Sequence, residues 1–139
     1  MSRPAGLDFR VEPALPRTGN LLPILHQLGH ALDDLLEHGQ ESSIDLRSLP
    51  LSSVEEQELI ELLGRGEVEA TLDSQGPSSF QESRFPGVWL CIHKNQEGET
   101  LGKFIEICRV PALLKSQPED MREGLSRLQR QLGEMSPKY

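Results

Sequence analysis

Leucines recur at helical spacing from Leu21 through Leu25, Leu28 and Leu32 to Leu35, which predicts an amphipathic helix with one buried stripe. Asn20 stands where an N-cap belongs, and Pro23 falls in the first turn, where its missing N–H is not needed. Gly39, just after His38, supplies the stop. Ser43 to Arg47 then alternates polar and apolar positions and reads as a short strand that Pro50 ends. Ser52 and Glu55 have the spacing of a capping box, which opens a second helix running through Leu63. Leu59, Ile60, Leu62 and Leu63 form its apolar face, and Gly64-Arg65-Gly66 terminates it.

From Glu67 to Val110 the period changes from helical to two, and the chain reads as a run of strands. Val68, Ala70 and Leu72 alternate with charged and polar neighbours, which describes a strand with one wet face. Gln75-Gly76-Pro77 turns the chain, and Ser79 to Arg84 is a more polar strand expected nearer an edge. Between Val88 and Ile92 both parities are apolar, so that strand is expected to be covered on both faces. Asn95 to Gly98 makes a hairpin turn, Leu101 to Val110 returns, and Pro111 stops the strand. Ser116 with Glu119 predicts another capping box, followed by Met121, Leu125, Leu128 and Leu132 on one face of a final helix. The sheet is the surface on which both flanking helices are expected to bury their stripes.

The order α-β-α-β-β-β-β-α gives an α+β fold, a mostly antiparallel sheet of four to five strands packed by about three helices. Residues 1–18 carry Pro4, Pro13 and Pro16 and are expected to be loop, or a short edge strand through Leu7, Phe9 and Val11. Residues 19–139 are expected to form a single α+β domain.

Composition narrows the function classes more than it names one. A length of 139 residues suits one domain, and with only 4% aromatic residues the core must be mostly aliphatic. Twenty-two acidic against 14 basic residues give a formal charge of −8, and no cluster of cations exists to displace phosphate counterions, so nucleic acid is not an expected partner. Nothing resembles a secretory leader, and no apolar run is long enough for a membrane span. Cys91 and Cys108 both fall in apolar strand patterns, and a hairpin at Asn95–Gly98 sets Cys91 opposite a residue near Phe104, out of register with Cys108. A disulfide is therefore not expected. Buried free thiols fit a reducing compartment, and the expected location is cytoplasmic.

Four groups of residues invite chemistry. His26, His30 and Asp34 are spaced i, i+4, i+8, so they share a helix face and offer a divalent-metal site, against which stands a plain solvated surface. Cys91 and His93 lie two apart on one strand face, a thiolate–imidazole arrangement, but the flanking Leu90 and Ile92 point to a core thiol. Arg84-Phe85-Pro86-Gly87-Val88-Trp89 breaks the strand pattern with Pro86 and Gly87, which predicts a bulge or tight corner. Phe85 and Trp89 are two of only five Phe and Trp residues, and such side chains beside an irregular strand suit a partner interface as well as a core. Lys115-Ser116-Gln117-Pro118-Glu119-Asp120 presents a helix N-terminus whose own acids already complement the dipole.

With these strings in view, the chain resembles the HupH/HyaF family of hydrogenase expression proteins, in their C-terminal conserved region. The resemblance is carried by Gly19-Asn20 with the leucine-rich helix, Ile44-Asp45-Leu46-Arg47-Ser48-Leu49-Pro50 and Leu62-Leu63-Gly64-Arg65-Gly66-Glu67-Val68. It continues through Phe85-Pro86-Gly87-Val88-Trp89, Phe104-Ile105-Glu106 and Leu114-Lys115-Ser116-Gln117-Pro118-Glu119-Asp120. It implies a non-catalytic, chaperone-like accessory protein for nickel–iron hydrogenase maturation, acting on the iron–sulfur small subunit precursor. The partners it implies are that precursor and other maturation proteins, with a homodimer as a further option. It implies no cofactor, and no metal ligand or catalytic residue carries over. Joined to the reading of the residues, it makes Arg84, Phe85, Pro86, Trp89, Lys115, Ser116, Gln117 and Asp120 the expected partner-binding set. The alternative is a metal- or cluster-handling protein using the His26, His30 and Asp34 face.

Overall fold

A computed structural model describes residues 17–136, so the possible edge strand at Leu7–Val11 lies outside the described residues. The chain divides into two compact units, one ending at Arg109 and the other beginning at Val110. The first unit holds helix α1 (Leu21–His38), strand β1 (Ser42–Asp45), helix α2 (Ser53–Leu63) and strands β2 (Glu69–Asp73), β3 (Pro77–Glu82), β4 (Val88–Lys94) and β5 (Thr100–Ile107). The second holds helix α3 (Pro118–Met135).

All five strands form one antiparallel sheet in the order β1-β5-β4-β3-β2. Strands β2 to β5 follow one another as an up-and-down meander, and β1 closes on the far side of β5. The more polar strand β3 is second from the edge, between β2 and β4, and the exposed edge falls to β2 and β1. The β4–β5 register sets Cys91 opposite Phe104, as the hairpin at Asn95 requires, and both cysteines are buried. In that hairpin the Asn95 carboxamide oxygen accepts from the N–H groups of Glu97 and Glu99 at 3.0 and 2.9 Å.

One face of the sheet carries the aliphatic core. Ile44 on β1, Val88 on β4, and Ile105 and Ile107 on β5 meet Ile24 and Leu28 of α1 and Leu59 and Leu63 of α2. Burial of such side chains stabilises the fold by about 1.5–3 kcal/mol each. The opposite parity of the central strands holds Phe80, Cys91 and Trp89, also buried, so β4 is covered on both faces as its sequence demands. The buried edge of α1 is centred on Ile24 and Leu28; Leu21, Leu25, Leu32 and Leu35 are only half-buried.

Four local expectations are corrected. Asn20 does not cap α1 with its side chain; it donates instead to the Pro50 carbonyl at 2.8 Å. The expected apolar face of α2 is rotated, because Leu62 is exposed while Glu55 is buried. In the second unit, α3 starts at Pro118 with Gln117 as its N-cap and without the predicted Ser116–Glu119 box. Its stripe is not buried: Met121, Leu125, Leu128 and Leu132 are 59, 53, 54 and 52% exposed.

Glu55 repays its burial with hydrogen bonds. The capping box is complete, with Glu55 N–H donating to the Ser52 hydroxyl and Ser52 N–H donating to the Glu55 carboxylate at 3.0 Å. The same carboxylate accepts from the Thr18 hydroxyl at 2.8 Å and from the Thr18 and Gly19 N–H groups at 3.0 and 3.2 Å. These bonds, the Ser52 N–H first among them, hold the Glu55 carboxyl down at about 2 against the opposing effect of burial. One carboxylate thus fastens the segment that enters α1 to the first turn of α2.

Candidate functional site

The connection between β3 and β4 is a tight corner built from the distinctive aromatic string. Val88 N–H donates to the Phe85 carbonyl at 3.0 Å, closing a four-residue turn over Pro86 and Gly87. Gly87 has φ 96°, so the pair has the pattern of a type II turn, with proline and then glycine at the central positions. Space is tight there as well, since a Cβ at position 87 would stand 3.0 Å from the Leu32 side chain of α1. The buried Ser83 hydroxyl braces the corner, donating to the Phe85 carbonyl and accepting from the Phe85 N–H, both at 3.0 Å. Cys108 N–H donates to the Gly87 carbonyl at 2.9 Å, which ties the turn to the end of β5.

Arg84 is spent on structure. Its N–H donates to the Leu63 carbonyl at 2.7 Å, and its guanidinium reaches the Leu62 and Glu61 carbonyls at 2.8 and 3.2 Å. These are carbonyls at the end of α2, where a cation also complements the helix dipole. Gly64, at φ 63°, leaves the room for that side chain to lie across the helix end.

Phe85 is 50% exposed, and it stands at the mouth of an apolar cleft of about 220 Å³. The buried Leu28, Leu63 and Val88 line its depth, and the half-buried Leu25 and Leu32 line its sides. Gly29, in the middle of α1, contributes no side chain to it. A larger depression shares Leu32 with this cleft and is bordered by Pro86, Glu41, Glu82 and Arg109. The structure therefore places Phe85 and Pro86 together at an accessible corner. Trp89 is removed from that surface: it is 3% exposed and belongs to the interior. Lys115, Ser116, Gln117 and Asp120 all lie in the second unit and are exposed, with the Gln117 amide donating to the Lys115 carbonyl at 3.1 Å.

The reactive-looking groups separate on inspection. Burial pushes the Cys91 thiol well above its ordinary range, and the Glu106 carboxylate adds to the shift, so a thiolate is disfavoured. His93 does not serve it either; its Nδ1 is 2.9 Å from the Ser78 hydroxyl, and its ring packs between Phe80 and Phe104. His26, His30 and Asp34 remain exposed on α1, Asp34 facing His38 at 3.7 Å. Among the described residues no three His, Cys, Asp or Glu side chains are placed to hold a metal ion. No helix among them is long and apolar enough to cross a membrane.

Sequence reasoning missed the cleft and the buried Glu55. The Ser52–Glu55 spacing announces a cap but not that Thr18 and Gly19 share the carboxylate. For the cleft, the available signal was Gly29, a glycine inside an otherwise strong helix pattern.

Comparison with known proteins agrees over nearly the whole chain. The chain is 32% identical over 120 residues to the hydrogenase expression/formation protein HoxQ of Azotobacter vinelandii, covering 82% of this chain and 42% of that protein. It is 28% identical over 123 residues to the hydrogenase-1 operon protein HyaF of Escherichia coli, covering 87% and 42%. It thus spans less than half the length of these curated relatives. The solved structure of the hydrogenase expression protein HupH from Thiobacillus denitrificans is 40% identical and superposes with a TM-score of 0.81, covering 86% of this chain and 99% of that one. The family model for the C-terminal conserved region of HupH hydrogenase expression protein matches residues 19–135, and the chain belongs to that family.

Proposed function

We propose that this chain is a non-catalytic accessory protein in hydrogenase maturation, which recognises the small subunit precursor of a nickel–iron enzyme by protein–protein contact. The observation that carries the reading is Phe85, an aromatic half exposed at the mouth of an apolar cleft, on a corner fixed by Ser83, Gly87 and the end of β5. A rigid aromatic on a braced turn binds at small entropic cost, and such side chains are common anchors of interfaces. The family membership and the names of the relatives, which are expression, formation and operon proteins of hydrogenases, supply the process. The raised Cys91 thiol and the solvated His26, His30 and Asp34 favour contact over chemistry.

Capture of the small subunit precursor by the tagged chain tests the proposal. Phe85→Ala is expected to weaken capture by about tenfold or more, as loss of an anchor does. A second arm changes Lys115 and Asp120 in the other unit, both exposed. Unchanged capture by Phe85→Ala removes the corner from the interface, and no capture by the unaltered chain sinks the small-subunit assignment.

A further inference from the structure

The cleft is the middle of a longer feature. Leu22, Leu25, Gly29, Leu32 and Leu36 succeed one another at alternating steps of three and four, the spacing of a helix seam. This is a second edge of α1, beside the one that buries Ile24 and Leu28. It runs about 21 Å, at 1.5 Å per residue. Leu22 and Leu36, at its ends, are 64% and 76% exposed, and the half-buried Leu25 and Leu32 flank the cleft between them. At the centre stands Gly29, where an added Cβ meets nothing within 4 Å. A seam with a vacant position flanked by leucines has the shape that accepts a large side chain from a facing helix.

Charge along the seam is one-sided. Its C-terminal half is flanked by Asp33, with Glu41 and Glu82 on the adjoining depression, while Asp34 and Glu37 turn away from it. No lysine or arginine among the described residues pairs with Asp33, Glu41 or Glu82; Arg109 also borders the depression without an ion pair to either glutamate. Glu41, just past the C-terminus of α1, deepens the negative potential at that end of the helix dipole, which a cation relieves. The N-terminal half of the seam is flanked by His26 and by no acid.

We propose that this edge of α1 docks an amphipathic helix of a partner protein, with an aliphatic or aromatic seam and with lysine or arginine at the end that meets Asp33 and Glu41. The helix lays its largest apolar side chain over Gly29, and Phe85 closes the side of the groove. The proposal rests on the reading of the Phe85 corner as a contact surface and adds the chemistry of what it contacts.

The probe is a fluorescent synthetic helix of about 18 residues, roughly 27 Å long, with leucines at seam spacing, a central phenylalanine, and lysines flanking one end. Binding to the full chain is followed by anisotropy. The lysine peptide is expected to bind, a version with glutamate for lysine at least about tenfold more weakly, and one with serine for leucine not at all. Gly29→Leu fills the vacant position and is expected to lose about tenfold or more in affinity while its circular dichroism melt shows a folded protein. Leu22→Ser with Leu36→Ser gives a second test at exposed positions that the fold does not need. Asp33→Lys with Glu41→Lys is expected to reverse the preference between lysine and glutamate peptides. Equal binding of the two charged peptides, or undiminished binding by folded Gly29→Leu, overturns the proposal. So does a dimer in sedimentation that Gly29→Leu converts to monomer, because the occupant is then a second copy. If no peptide binds while the precursor is still captured, this inference falls and the maturation role stands; if the peptide binds and the precursor is not captured, the reverse holds.

Discussion

Along its inner edge α1 presents Ile24 and Leu28 to Val88, Ile105 and Ile107, and both helix residues are almost fully buried. Along its outer edge the same kind of residue ends differently: Leu25 and Leu32 border an open cleft, and Leu22 and Leu36 stand in water. One helix therefore carries two apolar edges, and among the described residues only one is covered. The inner edge is also anchored at its start, where Thr18 and Gly19 are bound to the Glu55 carboxylate. The outer edge ends beside Asp33, Glu41 and Glu82, none of which has a lysine or arginine partner among the described residues. Burial and hydrogen bonding identify the edge that holds the fold, and exposed apolar surface beside uncompensated charge identifies the edge available to something else.

The largest expected effect separates the edges directly. Leu28→Ala leaves a void beneath α1 and is expected to cost about 2–5 kcal/mol. Leu36→Ala, at a position 76% exposed, is expected to stay within about 0.5 kcal/mol of the unaltered chain. Urea midpoints measured at equal slope compare the two. Similar losses would mean that the outer edge is covered within the chain and that the contrast is false.

Next comes the anchor of the inner edge. Glu55 is held at about 2 in the folded protein against an ordinary 4.5, so folding favours its ionised form. Its contribution is present above about 4.5 and is lost as pH falls from there toward about 2. Glu55→Gln is therefore expected to melt lower than the unaltered chain at neutral pH, with the difference shrinking through that acid window. A difference independent of pH would assign the loss to shape rather than charge.

Much of the architecture is legible in the residues, because its signals are local. The Ser52–Glu55 spacing, Gly39 after α1, Pro86-Gly87 at the corner and the doubly apolar Val88–Ile92 each fix a backbone choice within a few neighbours. The same locality explains the misreadings. A stripe of leucines in α3 declares one apolar face but not what covers it, and Met121, Leu125, Leu128 and Leu132 are exposed. Trp89 reads as interface or core until the register of β4 against β3 and β5 is known, which places it inside. The cleft is less legible still, since a void is set by the spacing of α1, α2 and the corner, and only Gly29 hints at it.

Arg84 tests how much of the corner belongs to each role. Its guanidinium bonds to the Leu62 and Glu61 carbonyls predict that Arg84→Ala costs about 1 kcal/mol in thermal or denaturant unfolding. Precursor capture by Arg84→Ala, measured well below its melting temperature, is expected to match the unaltered chain. Lost capture in a folded variant would return Arg84 to the contact surface.

The smallest effect has the opposite sign, and it is informative for that reason. Glycine in a helix interior is weaker than alanine because the unfolded chain has more freedom to lose. A methyl at position 29 meets nothing within 4 Å, so no clash offsets the gain. Gly29→Ala is therefore expected to raise stability by about 0.4–1 kcal/mol, read as an increase in melting temperature. A gain shows that the helix fold makes no use of the missing side chain at this position, leaving the vacancy in the outer edge to be explained by what docks there. A loss would show that the groove around Gly29 is already filled in the folded chain, and the two edges of α1 would then differ only in degree.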